Sequence, residues 1–251
     1  MTMLTKNLAY TVHTLSIFLV TILIYNALIT ESSASEDSYL KTYQNIAIFD
    51  TGFCLDKLPS HSKIKVHPIH FAMDSFPLDC QNADLNSPRF HGQKVMKTFI
   101  ENYKGEKTLH LYPVIVFDHK GIQTVDYWKM SMPYILKNQI RYLLSATGVP
   151  LRTKISAMLP KKTHFVLASG RVEPILKEMA YLFPHDFLLE KQRTIVGSQI
   201  KLSESTIKDP KTFHPEKVNV WIDEDPSNNF KGSSYAVAKY FADHLSLIFK
   251  K

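Results

Sequence analysis

The stretch NIAIFDTG, residues 45–52, decides the fold. Four apolar residues in a row, Ile46 to Phe49, end on a single carboxylate, Asp50, followed by Thr51 and Gly52. A run this short and this apolar is a strand buried on both faces, and Thr-Gly turns the chain at its carboxyl end. Other segments repeat the pattern: KIKVH (63–67), LHLYPVIVF (109–117), VDYWKMSM (125–132), HFVLAS (164–169), RTIVGSQI (193–200) and KVNVWI (217–222). Helical stripes stand between them. Val95, Met96, Phe99, Ile100 and Tyr103 share one face of a helix expected to start at His91 and to end at Gly105. Leu136, Ile140, Leu143 and Leu144 suggest a second helix over 134–144, stopped by Gly148. A short helix over 174–182 follows, and Val237, Phe241, Leu245 and Ile248 mark a last one over 234–249. Apolar strands alternating with helices predict an α/β fold of three layers, a mostly parallel central sheet flanked by helices. Ligand chemistry in such sheets gathers at the carboxyl ends of the strands.

Upstream of this pattern, Lys6 precedes an apolar run over 15–29, LSIFLVTILIYNALI, and then the polar TESSASEDS. The run is short for a bilayer span of about 20 residues. Ser32 and Ala34 stand at the spacing a signal peptidase reads. Residues 1–34 are therefore expected to be a cleaved signal peptide, with an uncleaved anchor as the alternative, and 35–251 to form one exported, secreted or periplasmic, domain. The only two cysteines, Cys54 and Cys80, fall in the exported part, where a pair is expected to be a disulfide rather than two buried thiols. The net charge of +7 comes from scattered lysines, which argues for a solvated surface and against nucleic-acid binding. The 11 histidines show no HExxH or paired ligand spacing, so neither a metal nor a cofactor is expected. Trp128 and Trp221 are assigned to the core, and Asp223, Glu224 and Asp225 to a solvated loop.

Three motifs carry chemistry. Asp50 ends a strand, His91 in FHG opens a helix, and Ser234 in GSSYAVA opens the last helix. Each alone has an ordinary reading: a turn, a helix start, a serine cap. Together they stand in the order Asp, His, Ser, the chain order of the subtilisin class and of neither the chymotrypsin nor the α/β-hydrolase class.

The chain resembles a divergent member of the subtilase family of subtilisin-like serine peptidases. IAIFDTG resembles the family's aspartate motif, and Asp84-Leu85-Asn86 before His91-Gly92 the approach to its histidine motif. LYPVIVFDHKG resembles the strand after the histidine helix, and MSM (130–132) the end of the substrate-binding strand, with Ser131 in the serine position. ASG (168–170) resembles the lead-in to the oxyanion asparagine, TIVGS and VNVWI the strands before the serine motif, and GSSYA (232–236) the serine motif itself. Several positions depart from the pattern. Gln93 replaces the usual Thr after His-Gly, Ala238 the proline that closes the serine motif, and Arg171 the oxyanion asparagine. A folding propeptide has no room between Ser35 and Asn45, the segment between Phe117 and Val125 is short for the usual helix, and no calcium-binding loop is recognisable.

The resemblance implies a monomeric serine endopeptidase acting on protein or peptide substrates through Asp50, His91 and Ser234, with Arg171 as the oxyanion candidate. Membrane association would come only from an uncleaved apolar segment. Two other readings stand beside it. A subtilase-like binding or scaffold protein of impaired activity is motivated by Arg171, Gln93 and Ala238. An aspartic peptidase built on Phe49-Asp50-Thr51-Gly52 would need a second such aspartate, and the chain holds no other Asp-Thr-Gly or Asp-Ser-Gly.

Overall fold

The computed structural model describes residues 43–73, 78–118, 120–123, 125–147, 149–150, 163–170, 181–182, 190–203 and 205–249. The leader over 1–34, Arg171, and the expected helix over 174–182 up to residue 180 lie outside the described residues. Gln44–Lys251 forms one compact unit. In chain order its elements are β1 (Tyr43–Asp50, whose first residue precedes the unit), β2 (Ile64–Val66), β3 (His70–Phe71), α1 (His91–Asn102), β4 (Thr108–Ile115), α2 (Val125–Lys137) and β5 (Tyr142–Ser145). Then come β6 (Val149–Pro150), β7 (His164–Ala168), β8 (Tyr181–Leu182), β9 (Arg193–Lys201), β10 (Thr206–Lys208), β11 (Val220–Asp223) and α3 (Ser233–Ile248).

The main sheet is mostly parallel. β1 lies between β4 and β5, with β2 and β3 beyond β4, and β7 then β9 beyond β5. β11 joins β9 in parallel and β10 joins it antiparallel. β6 and β8 pair separately, so Tyr181 and Leu182 belong to a strand and not to the end of a helix. The alternation along β1 explains the layers. Ile46 and Ile48 point into a core shared with Val95, Met96 and Phe99 of α1 and with Val237, Phe241 and Leu245 of α3. Ala47 and Phe49 point the other way, into a core shared with Trp128, Met132 and Ile135 of α2. Successive residues of a strand face opposite sides, so a strand covered twice must be apolar throughout.

The segment around α2 departs from the sequence reading. VDYWKMSM is the first half of a helix, not a strand, and the stretch 134–144 is not one helix. Its buried residues Trp128, Met132 and Ile135 recur at helical spacing, while Met130 and Leu136 face solvent. Pro133 sits inside the helix, where proline removes one backbone hydrogen bond. Gln139 in the left-handed region (φ 48°) ends it, ahead of Gly148. Tyr142–Ser145 is then strand β5, paired with β1 and β7. The helix expected to be missing between Phe117 and Val125 thus begins at Val125. Trp128 is core as expected but on a helix; Trp221 is half-buried, its ring under the ammonium of Lys208. Among the described residues no helix is long and apolar enough to cross a membrane.

Candidate active site

Asp50 is the last residue of β1 and has no exposed surface. A carboxyl group buried there needs partners, and among the described residues it has two. The Thr51 amide donates to Oδ1 at 2.7 Å. His91 Nδ1 lies 2.8 Å from Oδ1 and 3.1 Å from Oδ2. A carboxylate only accepts, so Nδ1 carries the hydrogen and the neutral imidazole keeps its lone pair on Nε2. The His91 side chain retains 28% exposure against 0% for Asp50, so the pair is anchored inside and presents its other edge outward. Burial pushes the His91 imidazole down. The charge of Asp50 and its hydrogen bond push it up and outweigh burial and the nearby Lys94, leaving it above the ordinary histidine value of 6.5.

The surroundings hold this geometry. Thr51 Oγ1 donates to the Pro88 carbonyl and accepts from the Gly92 amide. Gly52 N donates to the Arg89 carbonyl at 2.8 Å. Gly92 is required by space: a Cβ there would sit 2.7 Å from the Phe53 ring and 2.9 Å from Asp50 Cβ. Gln93, which departs from the family pattern, is buried, and its Oε1 accepts the Cys54 amide at 2.8 Å. Cys54 is bonded to Cys80 as expected, closing the connection that leads to His91.

Ser234 is the second residue of α3. Gly232 before it has φ 81°, a conformation open to glycine, and its amide donates to Glu224 Oε1 at 2.8 Å. The acidic stretch is therefore not all solvated loop: Glu224 holds the turn into α3, and Asp223 accepts from Gln199. Ser234 Oγ donates to the Ala146 carbonyl at 3.4 Å. Among the described residues no hydrogen bond joins it to His91. Phe230, four residues earlier, meets the His91 ring edge-on at 5.6 Å.

A cleft of about 490 Å³ opens on His91, with Thr51, Phe117, Lys120, Ala146 and Thr147 in its walls. These residues follow β1, β4 and β5, so the cleft lies at the strand ends where the sheet order runs outward in both directions from β1. Ser131 is elsewhere. It is buried on α2 and its hydroxyl donates to the Tyr127 carbonyl four residues back. Beside β1 and β4, β5 reaches the cleft, and its following residues Ala146 and Thr147 are site residues the sequence does not reveal, as are Phe117 and Lys120 after β4. The signal for Ala146 and Thr147 was the apolar Tyr142-Leu143-Leu144 before them, hidden by a helical assignment. Ala238 packs fully buried in the second turn of α3. Among the described residues no cluster of three or more metal-ligating side chains occurs.

No protein-family model matches the chain, and no curated protein matches it.

Proposed function

We propose that the protein is a subtilisin-like serine endopeptidase, exported from the cytosol, that cleaves peptide bonds through Asp50, His91 and Ser234. The observation that carries this reading is the Asp50–His91 hydrogen bond at a strand end, buried at Asp50, with His91 lining a cleft. The Asp-His-Ser order agrees with it, and the disulfide suits an oxidising compartment.

In this mechanism His91 Nε2 takes the Ser234 hydroxyl proton as Oγ attacks the scissile carbonyl carbon. Asp50 holds the tautomer and stabilises the imidazolium. The tetrahedral intermediate's oxygen needs fixed donors. The Ser234 amide lies in the first turn of α3, where N–H groups have no acceptor within the helix and the dipole favours negative charge. Arg171, which the resemblance sets at the family's asparagine position, is the candidate side-chain donor, since a guanidinium has the N–H groups and the charge such a role needs. Collapse breaks the C–N bond, the leaving amine takes the proton from His91, and water then hydrolyses the acyl-enzyme by the reverse path.

One contact favours the second reading, a binding protein of impaired activity. Ser234 donates to Ala146 and not to His91, so the nucleophile must turn before it can be activated. Catalytic hydrogen bonds are often long or misaligned before substrate arrives, which keeps the peptidase reading ahead. Incubation with a fluorophosphonate probe and mass spectrometry decide between them. The expected result is covalent labelling at Ser234, absent in His91→Ala and in Ser234→Ala. An unlabelled wild type that nevertheless binds peptides would leave the binding protein.

A further inference from the structure

We propose that His67 and His110, at one edge of the main sheet, together bind one divalent transition-metal ion, Cu²⁺ or Zn²⁺, which clamps the segment after β2 to β4. The inference is independent of the peptidase reading. The two strands bring the rings together. Ile64 and Val66 of β2 and Leu109 and Leu111 of β4 belong to the core that α1 and α3 share. Strand alternation therefore turns Lys65, His67, His110 and Tyr112 to the opposite face. β2 pairs with β4 in parallel, with Lys65 level with His110. The His67 amide then donates to the Leu111 carbonyl at 2.8 Å. His67 thus arrives beside His110 although 43 positions separate them, a spacing that no short ligand motif describes.

His67 Nε2 lies 3.1 Å from His110 Nδ1. The two nitrogens are turned toward each other at a separation that one ion can span. An ion held at about 2.0–2.1 Å from each subtends an angle of about 100° over that distance, between the square and tetrahedral values. Imidazole suits both metals, and Cu²⁺ stands above Zn²⁺ in the divalent series. The rings are also oriented. His67 stacks on Tyr112 with centroids 4.1 Å and planes 7° apart, and Tyr112 is itself buried. Both histidines are half-buried, so water can complete the shell. In the hydrogen bond one ring donates and the other accepts. Ligation needs a lone pair on both facing nitrogens, so the donor ring moves its hydrogen to its other nitrogen. Two neutral rings lose no proton in this step. Burial and the Lys65 ammonium favour those neutral forms, holding both imidazoles below the ordinary histidine value. The same ammonium opposes a second cation, and two protein ligands bind more weakly than a closed set of four. The ion's role is structural. Val116 N donates to the Asp50 carbonyl, so Asp50 is level with the end of β4. His110 precedes Val116 by six residues, about 20 Å along the chain.

The test is calorimetric titration of the chelator-treated protein with Cu²⁺ and with Zn²⁺, as wild type, His67→Phe and His110→Gln. His67→Phe keeps a ring against Tyr112 and removes the ligand nitrogen. The expected outcome is one ion per chain, with Cu²⁺ the tighter, and binding weaker by at least roughly 10–100-fold in either variant. His214→Ala removes an exposed histidine hydrogen-bonded to Glu216 and should leave the affinity unchanged. Zn²⁺ at about a hundredfold excess over its Kd should raise the wild-type Tm by roughly 5 °C and that of neither variant. Electron paramagnetic resonance of the Cu²⁺ complex reads the ligands without any substitution, and coupling to two imidazole nitrogens is expected. Failure of both metals to bind, coupling to a single nitrogen, or tight binding that survives either substitution overturns the proposal.

Discussion

The corner made by β1 and α1 and the N-terminus of α3 differ in how tightly they hold their functional groups. Asp50 and His91 are joined by a bond of 2.8 Å, braced by Thr51 and Gly92 and tied through Gln93 to a disulfide-bonded loop. Ser234 sits on a firmly packed helix, yet among the described residues its hydroxyl makes one hydrogen bond, at 3.4 Å to the Ala146 carbonyl. On the proposed reading the base is held in place, while the candidate nucleophile bonds a backbone carbonyl instead of the base. If the site is catalytic, its cost lies in the buried Asp50–His91 hydrogen bond, and the last hydrogen bond forms with substrate. Breaking the braced side should therefore remove more function than loosening its supports.

The largest effect expected comes from Asp50→Asn. The imidazole loses the partner that fixes its tautomer, and turnover should fall by about 10⁴-fold, as in the established serine-protease case. The pH profile sharpens the point. His91 must be neutral to act as a base, and its pKa lies above 6.5. The rising limb of kcat/KM should thus have its midpoint above 6.5 in the wild type and move to lower pH in Asp50→Asn. Stability should move in the matching sense. A raised folded-state pKa stabilises below the unfolded value, and that contribution is lost as pH rises through the folded value. Asp50→Asn should flatten this dependence, read as Tm across the neutral range. An unmoved limb would mean that another group sets it.

Next in size is the disulfide. Closing a loop with a sequence separation of 26 stabilises by about 3.5 kcal/mol in the chain-entropy treatment. Denaturant titration of the Cys54→Ala, Cys80→Ala double variant should show a loss of ~2–4 kcal/mol, with turnover of the folded fraction falling only severalfold. A loss of turnover as deep as that of Asp50→Asn would place the loop inside the catalytic geometry.

The same contrast shows in how far the sequence could be read. β1, α1 and α3 each carry one unambiguous period, and Asp50, His91 and Ser234 sit at their ends, so their positions were legible. The region between Phe117 and Gly148 was not. Val125, Tyr127 and Trp128 are strand-favouring types, and Pro133 interrupts the helical stripe, so by local pattern α2 splits and its first half resembles the substrate strand. Packing against Ala47, Phe49 and Val114 overrides that local preference. A strand at Val125–Met132 leaves no place for β5, and with β5 go Ala146 and Thr147; the burial of Ser131 on α2 forbids the substrate contact that such a strand implies.

The smallest effect, and the most discriminating, is expected from Gly92→Ala. In an open helix this change would add up to ~1 kcal/mol of stability through propensity. In α1 the new methyl would press on Phe53 and on Asp50 Cβ, both closer than 3 Å. Overpacking of this kind costs about 1–3 kcal/mol, so the balance should be a net loss of ~1–2 kcal/mol in urea unfolding. Which neighbour yields decides what happens to function. If the Phe53 ring moves, the Asp50–His91 pair survives and the kcat/KM limb stays in place. If Asp50 moves, the hydrogen bond that raises His91 weakens, the limb shifts toward acid, and turnover falls by more than the stability change accounts for. Asp50 is attached to the carboxyl end of a paired strand and Phe53 to a loop tied by the disulfide. Both are restrained, so the strain should be shared. We expect a limb shift of the same sign as in Asp50→Asn but smaller, and a Gly92→Ala protein as stable and active as wild type would show that α1 is free to slide away from β1.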